Sequence, residues 1–99
     1  MKMRFKTEFR STSKGGYDGS VVFSESGWFI SPTTQFRSRT GNRGEDVYVV
    51  KPGTYYIISF SMSDFGRWEI TMNRITPQTK ETLFVIDDRF SVWGKASEK

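Results

Sequence analysis

The chain has 99 residues, a net charge of +4, and neither cysteine nor histidine. That length makes one domain, and the two absences exclude a disulfide framework, a thiolate nucleophile, a Ser-His-Asp or Cys-His catalytic arrangement and a Cys- or His-ligated metal centre. Aromatic residues make up 16% of the chain, while Ala and Leu occur once each, at Ala96 and Leu83; rings, Ser, Thr and Gly suit strands and tight turns, and a helical domain without Ala and Leu runs against propensity.

Met1 to Arg10 alternates. Met1, Met3, Phe5, Thr7 and Phe9 fall on one face and Lys2, Arg4, Lys6, Glu8 and Arg10 on the other, which predicts an amphipathic strand with a basic face. A row of Lys and Arg on an outer strand also guards against edge-to-edge association. Ser11 to Gly19 reads as a polar, glycine-rich loop, without the spacing of a phosphate-binding loop. Ser20–Ser24 and Trp28–Ile30 read as a hairpin of short strands joined by Glu25-Ser26-Gly27, with Pro32 ending the second. Gln35–Arg37 reads as a further short strand or edge.

Phe36 to Gly44 is the most distinctive loop. Arg37, Arg39 and Arg43 alternate with small polar residues and two glycines. Arginine's planar fork suits phosphate or carboxylate, so the loop is a candidate anion site, or a solvated turn whose arginines pair with Glu45 and Asp46. Asp46 to Lys51 is a strand, and Pro52-Gly53 a strong turn signal. The Pro52-Gly53-Thr54-Tyr55 approach to the next strand resembles those of many β-sandwich domains, in which a corner Tyr hydrogen-bonds the backbone.

The stretch from Asp46 to Ile75 is expected to form the centre of the domain. Tyr55–Met62 and Arg67–Thr71 flank a turn at Ser63–Gly66 and read as an antiparallel hairpin. One face of the first strand carries Tyr56, Ile58, Phe60 and Met62, the other Tyr55, Ile57, Ser59 and Ser61. In the second strand Trp68, Ile70 and Met72 oppose Arg67, Glu69, Thr71 and Asn73. The more apolar faces predict a core of Tyr56, Ile58, Phe60, Trp68, Ile70, Phe84 and Ile86. After a loop over residues 75–80, Thr82–Ile86 reads as a strand buried on both faces, Asp87-Asp88 as a turn and Arg89–Trp93 as a last strand.

These signals predict an all-β fold, a single small antiparallel β-sandwich or β-barrel of about seven or eight short strands, with residues 1–94 as the domain and 95–99 as a polar tail. No apolar run is long enough for a membrane span, and no apolar stretch follows the basic start as in a signal peptide. The expected setting is soluble and cytoplasmic, or virion-associated, with no membrane partner.

Carboxylates are the remaining acid-base groups. The adjacent pairs Glu45-Asp46 and Asp87-Asp88 point to opposite faces if they lie in strands, and nothing selects Asp64 or Glu69. The chain is therefore expected not to be an enzyme, and to need no metal or cofactor. Tyr, Trp, Met and Arg favour interface cores, so the leading expectation is a protein-interaction module: an accessory, inhibitor or assembly factor docking on a larger protein. Positive charge sits in the first part of the chain, with eight basic against three acidic residues up to Arg43. A nucleic-acid-binding surface is the alternative, with Lys2, Arg4, Lys6, Arg10, Arg37, Arg39 and Arg43 for phosphates and Trp28, Phe36 or Tyr17 for stacking. A carbohydrate-binding sandwich is the third. The oligomeric state stays open.

Overall fold

The computed structural model describes residues 1–11, 16–39, 42–62 and 67–88, with 86–88 by backbone alone. These residues form eight strands and no helix: β1 (Met3–Ser11), β2 (Tyr17–Ser24), β3 (Phe29–Ile30), β4 (Thr34–Arg37), β5 (Arg43–Val50), β6 (Tyr55–Met62), β7 (Trp68–Ile75) and β8 (Lys80–Asp88). All pairs are antiparallel in one sheet of order β4-β5-β1-β2-β6-β7-β8, with β3 added to β2. Strand formation follows the alternation, and the small all-β fold is as expected.

The sheet is not flat. β1 runs the length of β5, and β2 the length of β6, but β1 and β2 share two partner pairs, Arg10↔Asp18 and Ser11↔Tyr17. Following these registers across an unrolled sheet puts Phe5 on one face and Tyr55 on the other, because cross-strand partners share a face. Yet the two rings meet edge to face with centroids 5.9 Å apart. Past these two pairs β1 and β2 therefore part and twist, so that the Phe5 face of the β4-β5-β1 half stacks over the Tyr55 face of the β2-β6-β7-β8 half. Overall dimensions of 44 × 40 × 20 Å fit two layers about 10 Å apart with their side chains.

Between the layers lies a small core of Met3, Phe5, Val22, Tyr48, Tyr55 and Ile57, flanked by Ile30, Val50 and Ile75. Phe5 stacks on Tyr48 at 5.0 Å. Each of these side chains contributes about 1.5–3 kcal/mol by leaving water. Tyr55 Oη donates to the Lys51 carbonyl at 2.6 Å, so the corner tyrosine anticipated at Pro52–Tyr55 is present.

The core differs from the one predicted. In β6 the buried residues are Tyr55 and Ile57, while Tyr56, Ile58 and Phe60 are half-buried on the opposite face. Trp68 and Ile70 are half-buried too, Phe84 is 44% exposed, and the side chain of Ile86 lies outside the described residues. The more apolar face of the hairpin faces away from the partner layer, because the parting and twist of β1 and β2 lay the first layer over the Tyr55–Ile57 side. Elements also shift. Tyr17–Gly19 belong to β2 rather than to a loop, and Arg43–Glu45 belong to β5. β7 continues to Ile75 and β8 begins at Lys80. β8 continues through Asp87 and Asp88 instead of turning there. The strand expected at Arg89–Trp93, the turn at 63–66 and the tail at 95–99 lie outside the described residues.

Candidate binding surfaces

Three surfaces merit consideration: a basic face, a polar cleft and an apolar outer face. The first is the outside of the β4-β5-β1 layer. Strand alternation and register set Arg4, Lys6, Glu8 and Arg10 of β1 beside Arg43, Glu45 and Val47 of β5 and Phe36 of β4. Val47 is buried here with Arg4, Lys6, Glu45 and Phe36 around it. Five of the residues singled out from the sequence thus come together: Arg4, Lys6, Arg10, Arg43 and Phe36. Lys2 precedes β1 on the same alternating row. Two of the cations are engaged: Lys6 Nζ lies 3.0 Å from Glu45 Oε2 and Arg10 Nη2 lies 3.1 Å from Asp18 Oδ2. Both pairs are well exposed, so each stabilises the fold by about 0–1 kcal/mol.

Arg37 and Trp28 sit elsewhere. Arg37 shares the opposite face of its layer with Phe9 and Gly44, and its guanidinium carbon lies 4.4 Å from the centroid of the Phe9 ring. Arg39 is exposed beyond the end of β4. Trp28, 74% exposed, occupies the β2–β3 turn, about 20 Å along β2 from the Asp18 that pairs with Arg10. Tyr17 lies on the outside of the other layer, stacked on Phe60 at 5.6 Å.

A cleft of about 890 Å³ opens beyond the core. Ser20, Ser59, Ser61, Glu69, Thr71 and Asn73 line it from the second layer, and Thr7, Phe9, Arg37 and Arg43 from the first. Several of its polar groups are hydrogen-bonded to one another or to a neighbour. Ser20 and Ser59 are 3.0 Å apart, Ser61 Oγ donates to Asp18 Oδ1 at 2.7 Å, and Thr82 Oγ1 donates to Asn73 Oδ1 at 2.8 Å. Asp18 is shared between Ser61 and Arg10, so it is held as an ion-pair partner. Glu45 and Asp46 lie on opposite faces of β5, as their adjacency implies. Deeper in, Asp46 Oδ1 is buried and makes no hydrogen bond. Burial pushes the Tyr48 hydroxyl above its ordinary range and the nearby Asp46 adds to this, opposed by a hydrogen bond with Thr7. Among the described residues no three acidic groups gather in a way that would hold a metal ion.

The third surface was missed as a surface because the sequence marked it as core. The outside of the β2-β6-β7-β8 layer carries Tyr17, Val21, Phe23, Tyr56, Ile58, Phe60, Met62, Trp68, Ile70, Met72 and Phe84, joined by direct partners such as Phe60↔Ile70, Met62↔Trp68 and Met72↔Phe84. None of these is fully buried: Tyr17 and Phe84 are exposed and the others half-buried. Soluble monomers rarely expose a contiguous apolar patch of this kind.

Comparison with known proteins places the fold alone. No family model and no curated protein matches the sequence. The chain is similar to the crystal structure of an engineered protein, with a TM-score of 0.61 and 19% identity over 89% of this chain. It spans 59% of the length of that engineered chain. No helix among the described residues is long and apolar enough to cross a membrane.

Proposed function

We propose that the protein is a small non-catalytic interaction module that docks on protein through the outer face of its β2-β6-β7-β8 layer. One observation carries this reading: a sheet face patterned as a core, rich in the ring and Met side chains favoured at interface centres, is left partly exposed, with no described element over it. Removing such a face from water against a partner is the ordinary source of association free energy. Ile70, with Phe60 and Ile86 as direct partners, is central to it.

Ile70→Lys tests the reading. In affinity capture from the source cell, wild type retains a protein in nuclease-treated extract and the variant loses it. Retention by Ile70→Lys, or release of the bound set by nuclease, contradicts docking through this face.

The nucleic-acid reading rests on the basic face and is supported less well, because Lys6 and Arg10 already pair with Glu45 and Asp18. It has a separate test. If Arg4 and Arg43 of that face contact phosphates, changing both to Ala makes the slope of log affinity against log salt shallower by about 1–2 units for a single-stranded oligonucleotide. Absence of wild-type binding at low salt removes this reading. A carbohydrate site finds least support, since the cleft hydroxyls bond one another and Trp28 stands apart on its turn.

A further inference from the structure

The outer face has a size and a charge pattern that select a partner. It spans four strands at about 4.8 Å spacing and roughly seven residues along each at about 3.3 Å per residue, or roughly 450 Å² in projection. Side-chain relief raises the accessible area above that. Two such faces together meet the roughly 1,000 Å² that a specific interface needs. Among the described side chains the face carries two charged residues, Arg74 and Glu81, and they pair with each other. The chain as a whole carries +4, and like-charged surfaces oppose self-association, but the described charges of this face, Arg74 and Glu81, cancel, and register adds one acid, Asp88, opposite Trp68 at its edge.

The outsides of the two layers also differ. That of the β4-β5-β1 layer is charged, with Arg4, Lys6, Glu8 and Arg10 in a row, so it offers no apolar match. The apolar face on the page that matches the outer face of the β2-β6-β7-β8 layer is that face itself. A two-fold axis makes such a match closed, since the same patch serves on both sides. Aligned sheets pack face to face with their strands about 30° apart, and rows of rings, Ile and Met interdigitate well in that arrangement.

We infer that a second copy of the chain occupies this face, the two β2-β6-β7-β8 layers packing against each other about a two-fold axis. The inference rests on the reading of that face as a docking surface, and it names the occupant. Ile70 and Phe60 lie near the axis and Tyr17 and Phe84 towards the rim.

Mass measurement by light scattering or sedimentation across the micromolar range tests it. Wild type is expected at twice the 11.5 kDa of the chain, and Ile70→Lys at 11.5 kDa with an unchanged far-UV spectrum. Should Ile70→Lys fail to fold, Phe84→Lys, at a more exposed position of the same face, takes its place with the same expectation. Val85→Lys is the control. Val85 is opposite Thr71 and so on the other side of β8, and it is 54% exposed; the variant is expected to remain dimeric. A wild-type protein monomeric throughout the range overturns the inference, as does a dimer that survives both face variants. Loss of the dimer in Val85→Lys alone also overturns it, since pairing then runs through the edge of β8. A monomeric wild type that still captures a different protein in an Ile70-dependent way refutes the second copy and leaves the docking face standing. A dimer sensitive to Ile70→Lys alongside capture insensitive to it supports the second copy and refutes docking of other proteins there.

Discussion

At the scale of single residues, two strand glycines owe their place to rings lying across them. Phe9 pairs directly with Gly44, and a Cβ built on Gly44 meets the Phe9 ring at 2.6 Å and the Phe36 carbonyl oxygen at 2.2 Å. Phe60 pairs with Gly19, where a Cβ meets the Phe60 ring at 2.9 Å. In both places the ring fills the gap that a glycine leaves in a strand. At Gly44 the nearer obstacle is backbone, which cannot turn aside as a side chain does. Gly44→Ala is therefore expected to cost about 1–3 kcal/mol by overpacking, seen as a lower urea midpoint with an unchanged slope. A midpoint equal to wild type would mean that β4 and β5 separate without cost. Tyr48 gives a second residue-scale prediction. Its hydroxyl is raised in the folded protein, first by burial and then by Asp46. The unfolded chain therefore gives up this proton first, near its ordinary value of about 10, and stability falls as pH rises from there towards the folded value. Tyr48→Phe should flatten that alkaline decline relative to wild type in melts taken at increasing pH; parallel profiles would contradict the assignment.

At the scale of elements, alternation in β6 separates Tyr56, Ile58 and Phe60 from Tyr55 and Ile57, and the structure keeps that division. Phe5 lies in the core between Tyr48 and Tyr55, while Phe60 lies on the outer face against Tyr17. Phe5→Ala is expected to cost about 3–5 kcal/mol. Phe60→Ala in the isolated chain forfeits a half-exposed ring and a stacked pair worth about 0.5–1.5 kcal/mol beyond its area. The order of the two melting temperatures checks this, and the reverse order would return Phe60 to the core. Strands and faces were legible in the sequence because they are local, period-two properties. Which face is covered was not, because that depends on how β1 and β2, joined by two partner pairs, carry one layer over the other. The same distinction hides Arg43–Glu45. Their Gly- and Arg-rich sequence reads as a loop, and only register with β1 and β4 makes them strand. Of the candidate site residues, alternation within β1 anticipated the row of Arg4, Lys6 and Arg10, whereas the stack of Arg37 on Phe9 depends on a pairing between distant strands.

At the scale of the whole molecule, the chain has more apolar sheet surface than two layers can enclose. One side of the β2-β6-β7-β8 layer closes the core, and the other has the composition of a second core with no layer over it among the described residues. That imbalance underlies both the proposed function and the second copy. It is read most directly at Trp68, whose ring sits on the outer face. With Trp28 and Trp93 changed to Phe, acrylamide quenching of Trp68 fluorescence can be followed as the protein is diluted. The account predicts a ring shielded at high concentration and open to quencher on dilution, with Ile70→Lys open throughout. A wild-type ring open to quencher at every concentration, or one shielded equally in wild type and Ile70→Lys, would contradict it.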